Sequence, residues 1–424
     1  MTAIVGTINR RGVAFAADSA ATHTVSSKHK ITNHANKIFE LSKRHPVGVC
    51  ICGNLDFLGM PWEDVFKMYR NSLKETGYDC LKDYSTHFFE FVKQDIMPKL
   101  VSDQKGNLSI VVNGYLNELI SISKQELEKE GIEATDINLI TKLESKMSMF
   151  LSIYTGKEKC LDFEEYSLSD FSSYSCDIIN SLLSPFLPLS SNPDGFRDLF
   201  ISSLFSIIVS TVHVYLNKTE LIFWGYGNGE LFPSYFSFEV SSAFDGHIKY
   251  SLKSKYIVSN IDNACVEPFA QTDVANTVIR GIDDDLRIRF YDSYKSSITV
   301  FRDEMISSLS DAGAPKELVE AINNMDIDTY TKTFADGMNQ YIQENYIEKL
   351  VNTVSYLSKE DLADMAESLV RMTYLKRRIT SEEESVGGPV DVAVITKGDG
   401  FVWLKRKHYF DAKLNPHYFE RSKD

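Results

Sequence analysis

The sequence predicts an α+β fold, because segments with strand character and segments with helical periodicity occupy separate blocks of the chain. Short apolar runs open the chain, return after residue 219 and close it between residues 390 and 405. Apolar residues at helical spacing dominate most of the sequence between these blocks. Blocks separated in this way typically form stacked layers of sheet and helix.

The first block predicts two antiparallel strand pairs. Residues 2–7 and 12–17 are apolar runs separated by a turn sequence rich in asparagine, arginine and glycine. Residues 37–41 and 47–52 form the second pair. Between the two pairs we expect a loop over residues 24–33.

Helical periodicity takes over after the second pair. Residues 62–69 place apolar side chains at i, i+3, i+4 and i+7, and residues 81–96 continue in the same way. The pattern over residues 106–197 is less regular, with a serine-rich stretch and several prolines. We therefore interpret that region as an insertion.

Strand signals return in the second half of the chain. The expected order is strands at 220–224, 235–240 and 248–259, a helix at 272–282, a charged helical region at 284–378, and a hairpin of strands 390–396 and 401–405.

Composition excludes several classes of function. The formal net charge of −14 is unsuited to general nucleic-acid binding, because phosphates would be repelled. The 6 cysteines in 424 residues include no CxxC pair, so neither a disulfide framework nor a structural zinc site is expected. No signal peptide is visible, and reduced thiols fit the cytoplasm. Residues 199–216 carry no Asp, Glu, Lys or Arg, but their serines, threonines and His213 favour a buried helix and strand over a membrane span.

Thr2 is the candidate nucleophile. A hydroxyl needs a base at neutral pH, and the free α-amine of a first residue can serve as that base. The reference pKa of an α-amine, about 7.7–8.0, lies near working pH. Removal of Met1 would make Thr2 nucleophile and base in one residue.

The surrounding sequence resembles proteasome β-subunits and related bacterial proteases. Thr2-Ala-Ile-Val-Gly6 precedes Gly12-Val-Ala-Phe-Ala-Ala-Asp18, Asn36-Lys37-Ile-Phe39 and the apolar run that ends at Gly53, in the family's order. The later run Gly387-Gly-Pro-Val-Asp-Val-Ala-Val-Ile-Thr396 resembles the family's late strand. The resemblance implies a four-layer αββα sandwich, the fold of N-terminal-nucleophile (Ntn) hydrolases, enlarged by two helical insertions.

The resemblance also implies roles for individual residues. Lys37 would place a buried ammonium beside the Thr2 hydroxyl and help its proton transfer. A buried ammonium needs a partner, and Asp18 is the matched carboxylate. The N–H of Gly53 would donate to the oxyanion, since glycine permits close approach. Ala20 and Thr22 would bind the substrate along an extended edge.

The chain departs from the family around the threonine amine. Glu383 and Val386 stand where the family has Asp and Ser, and Ser385 is adjacent, so Glu383 and Ser385 become the candidates for this supporting role. A further family serine has no clear counterpart, and Gln271 or Thr272 can take its place. The core set of Thr2, Asp18 and Lys37 is intact.

The matched and unmatched regions suggest a domain organisation. We expect a core of residues 1–104, 201–283 and 381–424, a helical insertion at 105–200 and a second one at 284–380. The insertions have no counterpart in the resemblance. They could cap the site, contact another subunit or hold a partner.

The predicted activity is hydrolysis of amide bonds, with peptides as the leading substrate, through an acyl-enzyme on Thr2. Two alternatives stay open: a small-molecule amidohydrolase on the same fold, and a non-catalytic proteasome-like scaffold. No cofactor or metal is expected. A homo-oligomer and a partner ATPase are both compatible with the resemblance.

Other candidate signals have simpler explanations. Asp283-Asp284-Asp285 reads as a charged helix start rather than a metal site. Gly225-Tyr-Gly-Asn-Gly229 lacks the strand and helix context of a nucleotide site and reads as a turn. His23, His29 and His34 lie in the expected loop, and His213 reads as a core histidine with satisfied nitrogens.

Overall fold

The computed structural model describes residues 2–25, 28–380, 386–408 and 410–417. It confirms the α+β class. The chain forms two compact units: the first comprises Met1–Ala35, Val258–Val394 and Val402–Asp424, and the second comprises Asn36–Ile257 and Ile395–Phe401.

Fourteen strands are described. In chain order they are β1 (Ala3–Asn9), β2 (Gly12–Ala17), β3 (Ala21–Val25), β4 (Lys28–Thr32), β5 (Ile38–Glu40), β6 (Val47–Gly53), β7 (Asp56–Phe57), β8 (Met60–Pro61), β9 (Thr219–Gly225), β10 (Ser234–Phe244), β11 (His247–Ile257), β12 (Ala264–Ala270), β13 (Asp391–Thr396) and β14 (Gly400–Lys405).

Twelve α-helices are described. They are α1 (Trp62–Leu73), α2 (Leu81–Phe91), α3 (Val101–Glu130), α4 (Asp136–Thr155), α5 (Leu168–Leu183), α6 (Pro193–Val209), α7 (Asp273–Arg280), α8 (Asp284–Asp311), α9 (Lys316–Asn323), α10 (Ile327–Ile342), α11 (Glu348–Tyr356) and α12 (Lys359–Ile379). A π-helical turn, Val92–Ile96, extends α2.

The first sheet has the strand order β12-β1-β2-β13-β14. Strand β1 pairs antiparallel with both β2 and β12, with Ile4 opposite Ala17 and Ala3 opposite Ala270. One face buries small side chains, including Ala14, in a core shared with Ala363 of α12. Small residues at these positions let the helix approach the sheet closely.

Polar side chains of β1 attach this sheet to its helices. The Asn9 side-chain amide donates to the carbonyls of Val354 and Leu357 at 2.8 and 3.0 Å. These carbonyls lie at the C-terminal end of α11, where the helix leaves acceptors unpaired. The hydroxyl of Thr7 donates to the carbonyl of Leu362 in α12 at 2.9 Å.

The second sheet has the order β11-β10-β9-β6-β5. Successive side chains of β6 and β9 point to opposite faces of the sheet. On one face, Val49, Ile51 and Phe223 pack with aromatic side chains of α1 and α2, such as Phe88, in one apolar core. Glu220 lies on β9 opposite Cys52 of β6. Alternation along the strands therefore puts these two residues on the face away from that core.

The region over residues 106–197, whose sequence pattern is less regular, is mostly helical, in line with the expectation of a helical insertion. Helix α3 runs for 30 residues, and it packs with α4, α5 and α6 around a core of its own. Glycines at 106 and 114 and many polar residues mask its periodicity, although Leu108, Val112, Tyr115 and Leu119 are buried on one face. The expectation over residues 199–216 holds for the helix, whereas β9 begins only at Thr219.

Two further expectations needed correction. Residues 24–33 do not form a simple loop, because β3 and β4 pair there as an antiparallel ribbon. Their polar, threonine-rich composition lacks the apolar alternation that reveals a half-buried strand. Strand β12 was not predicted, and its Pro268 is tolerated because β12 is the edge strand of its sheet.

Helices α8, α9 and α10 are exposed in the first unit. All residues of α8 are described, and none of its 28 residues is buried. Val300 and Phe301 of α8 are 52% and 62% exposed. Asp283 caps the start of α8 by accepting hydrogen bonds from the amides of Asp285 and Leu286, as expected for a charged helix start.

No helix in the described ranges combines the length and the apolar character needed to cross a membrane.

A buried lysine contacts the C-terminal end of helix α6. The Lys249 ammonium donates to the carbonyls of Ile207, Ile208 and Ser210 at 3.0, 2.7 and 2.8 Å. A cation here satisfies acceptors that the helix end leaves open and complements its dipole.

Candidate functional site

Thr2 lies directly before β1 in the first unit and is 6% exposed. Its carbonyl accepts a hydrogen bond from the amide of Gln271 at 3.1 Å. The next amide, that of Ala3, donates to Asp18 Oδ1 at 2.9 Å. The peptide group between Thr2 and Ala3 is therefore held from one side by Asp18, directly after β2, and from the other by Gln271, directly after β12.

Asp18 is a buried carboxylate that accepts three main-chain hydrogen bonds. Besides Ala3, the amides of Ala20 and Gly387 each donate to Oδ2 at 3.1 Å. Hydrogen bonds to a carboxylate are charge-assisted and hold its orientation. The sequence-predicted Asp18 and Ala20 thus belong to one hydrogen-bonded group with the main chain next to Thr2.

The glycine-rich segment 386–389 runs beside Asp18. The Ser19 amide donates to the carbonyl of Gly387 at 3.0 Å, and the Ser19 hydroxyl donates to the carbonyl of Pro389 at 2.5 Å. Gly388 has a φ of +76°, and a Cβ there would lie 2.9 Å from both Cβ and O of Asn33. Only glycine suits this backbone conformation and this close approach.

Lys37 lies in the second unit and is almost fully buried. It directly precedes β5, and its carbonyl accepts a hydrogen bond from the amide of Ile51 at 2.9 Å. Gly53 lies two residues after Ile51, at the end of β6. Its φ is +90°, and a Cβ there would collide with the carbonyl oxygen of Lys218. Lys37 and Gly53 therefore lie at the same end of the second sheet.

A buried polar network occupies this end of the second sheet. Glu220 accepts hydrogen bonds from Ser237 Oγ at 2.5 Å, from Lys253 Nζ at 2.8 Å and from Cys52 Sγ at 3.5 Å. Burial raises the pKa of the Cys52 thiol and the charge of Glu220 raises it further, while the charges of Lys253 and Lys37 act to lower it. The ammonium of Lys37 thus lies within electrostatic reach of Cys52.

The other sequence-predicted residues are placed as follows. Thr22 lies in β3 opposite Ile31. Glu383 and Ser385 lie outside the described residues. Val386 is buried in the apolar core of the first unit, as its side chain requires.

Gln271 and Arg377 form the part of the site that the sequence indicated least. Gln271 was one of two open assignments, and its amide contacts Thr2 as described above. Its side-chain oxygen accepts a hydrogen bond from Arg377 Nε at 2.7 Å. Nothing in the run Lys376-Arg377-Arg378 distinguishes Arg377, since basic residues are common in the last turn of a helix.

The remaining candidates have structural explanations. His213 is half-buried, with its nitrogens 2.9 and 3.2 Å from the hydroxyls of Ser241 and Ser251. Burial lowers the pKa of His213 to about 4, and the charge of Lys249 acts in the same direction. Across the ranges that the structure describes, no cluster of three or more His, Cys, Asp or Glu residues could hold a metal ion. All six cysteines, which lie within those ranges, are free thiols.

Comparison with known proteins gives structural neighbours only. No protein-family model matches the chain, and no curated protein sequence matches it. It is similar to a Gly-1 mutant of Anbu from Hyphomicrobium sp. strain MC1, with 10% identity and a TM-score of 0.29, over 100% of this chain and 95% of that one. It is also similar to Anbu, an ancestral beta-subunit, from Yersinia bercovieri, with 10% identity and a TM-score of 0.30, over 99% of this chain and 95% of that one. At these values the likeness carries no argument about activity.

Proposed function

We propose that this chain is a threonine-type Ntn hydrolase that cleaves amide bonds, with peptides as the foremost substrates, after removal of Met1. The observation that carries the proposal is the double attachment of the main chain at Thr2. Its carbonyl is held by Gln271, and the following amide is held by Asp18. Both bonds hold the peptide group between Thr2 and Ala3, and they thereby position the Cα that carries the hydroxyl and the amine of Thr2.

In the proposed reaction, the Thr2 hydroxyl passes its proton to its own α-amine while Oγ attacks the amide carbonyl. The resulting oxyanion accepts a hydrogen bond from the N–H of Gly53. The protonated amine returns its proton to the leaving nitrogen, and the C–N bond breaks. Water then attacks the ester and gives its proton to the amine. The C–Oγ bond then breaks as the amine returns this proton to Oγ, so that the acid is released and the hydroxyl of Thr2 is restored.

Lys37 and Asp18 support this chemistry by charge. The proposal requires the Lys37 ammonium to reach the Thr2 hydroxyl, where it lowers the cost of the developing alkoxide. Asp18 supplies the compensating negative charge. The burial of both side chains supports these roles, because charges act more strongly when water is excluded. Ala20 and Thr22 would offer main-chain hydrogen bonds to an extended peptide.

The proposal extends to the architecture and the setting. We propose the four-layer αββα sandwich, with residues 1–104, 201–283 and 381–424 as its core. The insertions at 105–200 and 284–380 would restrict access or contact other subunits. The six free thiols favour a cytoplasmic protein. A homo-oligomer and a partner ATPase are the proposed associations.

A peptide epoxyketone tests the function directly, because it can bond both to the hydroxyl and to the amine of one terminal residue. We expect a mass shift on the N-terminal peptide of natively expressed protein, and none in Thr2→Ala. The intact mass should show that Met1 has been removed. Retention of Met1, or labelling that persists in Thr2→Ala, would contradict the proposal.

One observation favours a second candidate, the non-catalytic scaffold. Val386 occupies a position where the resemblance expects a serine, and it is buried among apolar side chains. Absence of labelling by several epoxyketones, in protein with a free Thr2, would favour the scaffold or the small-amide hydrolase. A screen of small amides would then separate these two.

A further inference from the structure

Arg377 is an almost buried arginine at the C-terminal end of α12, with 9% of the residue exposed. Its guanidinium binds two partners in different directions. Nε donates to Gln271 Oε1 at 2.7 Å, and Nη2 donates to Asp273 Oδ1 at 2.7 Å. Arginine presents several donors in a rigid planar fork, so this contact fixes both partners at once.

Asp273 keeps the guanidinium in place. It lies in the first turn of α7, and its second oxygen accepts a hydrogen bond from Lys376 Nζ at 2.8 Å. Burial acts to raise the pKa of Asp273, but the hydrogen bond from Lys376 and the charge of Arg377 outweigh it, so the pKa lies below its usual value. The carboxylate therefore stays charged and anchors Arg377 at neutral pH.

Gln271 contacts both Arg377 and the candidate nucleophile. Its amide donates to the carbonyl of Thr2 at 3.1 Å, while its side chain is held by Arg377. The preceding residue, Ala270, lies opposite Ala3 and has a φ of +63°. A left-handed conformation is strained for alanine and persists only where neighbouring contacts enforce it.

A first residue also needs external contacts, because chain termini fray unless they are tied down. The contact of Asp18 restrains the amide of Ala3, which is bonded to the carbonyl carbon of Thr2. The contact of Gln271 restrains its carbonyl, and that contact depends on a turn whose conformation is unfavourable by itself. Arg377 of α12 holds the side chain of Gln271 in this turn.

We infer that Arg377 is a positioning residue for Thr2: through Gln271 it holds the strained turn that fixes the carbonyl of the nucleophile. Arg377 acts through Gln271 and takes no part in bond making. This inference rests on the proposed function, and it deepens it by assigning a role in the site to α12.

The test compares Arg377→Gln with Arg378→Gln. Arg378 is the exposed neighbour whose guanidinium contacts only the hydroxyl of Tyr374 among the contacts described, at 3.4 Å. Saturation kinetics with an epoxyketone separate the maximal rate of labelling at Thr2 from the inhibitor's apparent affinity. For Arg377→Gln we expect a maximal rate ~10- to 100-fold lower with the affinity unchanged, since misplacement of a reacting group affects the chemical step. Arg378→Gln should match the wild type.

Further variants keep the inference testable if Arg377→Gln folds poorly. Arg377→Lys retains the charge beside Asp273 but lacks the fork, so it should lose most of the same rate. Gln271→Ala should be as slow as Arg377→Gln, and the double variant should be no slower, because both residues act through one contact. A folded Arg377→Gln or Arg377→Lys that labels at the wild-type rate overturns the inference.

A second measurement separates this inference from the proposed function. Amide hydrogen exchange of Gln271 reports its bond to the Thr2 carbonyl without any reaction. We expect faster exchange at Gln271 in Arg377→Gln than in Arg378→Gln. If wild-type protein with a free Thr2 is not labelled, the proposed function fails, whereas unchanged exchange in folded Arg377→Gln overturns the positioning role.

Discussion

A hydrogen bond of 3.1 Å joins the amide of Gly387 to the carboxylate of Asp18, although the two residues are 369 positions apart in the sequence. The same carboxylate orients the amide of Ala3, which directly follows the candidate nucleophile. Late residues of the chain thereby complete the surroundings of the earliest ones. The geometry of segment 386–389 therefore affects Thr2 through Asp18 and Ala3.

Substitution of Gly388 should disturb this arrangement. Gly388→Ala forces a Cβ into a left-handed backbone position and against Asn33, so we expect a loss of ~1–3 kcal/mol in the free energy of unfolding. Labelling at Thr2 should slow as well. Gly387→Ala is the matched control, since its Cβ would meet the ring of Tyr374 at 3.5 Å and Asn33 Oδ1 at 3.6 Å, both ordinary contact distances. Equal stability of the two variants in urea would contradict this interpretation.

Lys37→Met tests the electrostatic role of the buried ammonium. Methionine keeps the length and apolar stem of lysine but removes the charge, so we expect labelling at Thr2 to fall by ~100-fold or more with little change in melting temperature. Lys30→Met, at an exposed lysine of the β4 strand, serves as control. A Lys37→Met protein that labels at the wild-type rate removes Lys37 from the site.

The buried Lys249 predicts a specific dependence of stability on pH. Burial lowers the pKa of Lys249 to about 8, whereas its usual value is 10.5. Between these pH values the unfolded chain still binds a proton that the folded chain has lost, so the free energy of unfolding rises with pH across this window. Below about pH 8 the cost of the buried charge is fully present.

Lys249→Met should remove this rise. Urea unfolding at pH 7.5, 9 and 10 measures it as a difference between wild type and variant, which cancels the titration of other groups. Lys255→Met, at an exposed position of β11, should keep the wild-type slope. If the difference in free energy of unfolding between the wild type and Lys249→Met does not change with pH, burial does not destabilise the ammonium.

The exposed α8 helix predicts self-association. A long helix gains most of its stability from packing, yet no residue of α8 is buried in the described chain. We expect size-exclusion chromatography with light scattering to show a homo-oligomer. Phe301→Glu should shift it towards smaller species, because it places a charge on an exposed apolar surface. Lys316→Glu on α9 should not. A wild type that remains monomeric at high concentration would contradict self-association through α8.

The sequence allowed prediction of the elements whose signal is local. The β1–β2 hairpin, the β5–β6 pair and the β13–β14 hairpin follow from apolar runs broken by turns. The ribbon of β3 and β4 could not be predicted in this way, because its strands are polar and gain their pairing from the fold. Strand β12 was hidden for a different reason, since its glutamate and proline interrupt the apolar pattern.

The candidate site was predictable to a similar extent. Thr2 and Asp18 come from a motif in one stretch of sequence, and the structure joins the main chain beside Thr2 to Asp18. The contact of Arg377 with Gln271 links two residues 106 positions apart. Neither belongs to a recognisable motif, and helix ends commonly carry basic residues, so only the folded chain reveals that contact.

The strand order of the first sheet has a consequence for how the protein is made. Strands β1 and β2 leave the ribosome first, but their outer neighbours are β12 and β13, which are synthesised roughly 250 and 375 residues later. Until then both edges of the hairpin expose unpaired main-chain groups that invite aggregation. The second unit consists mainly of the continuous stretch Asn36–Ile257 and can fold during this interval. Folding of the first unit is therefore set by long-range pairing, and we expect it to be the slower step in biogenesis.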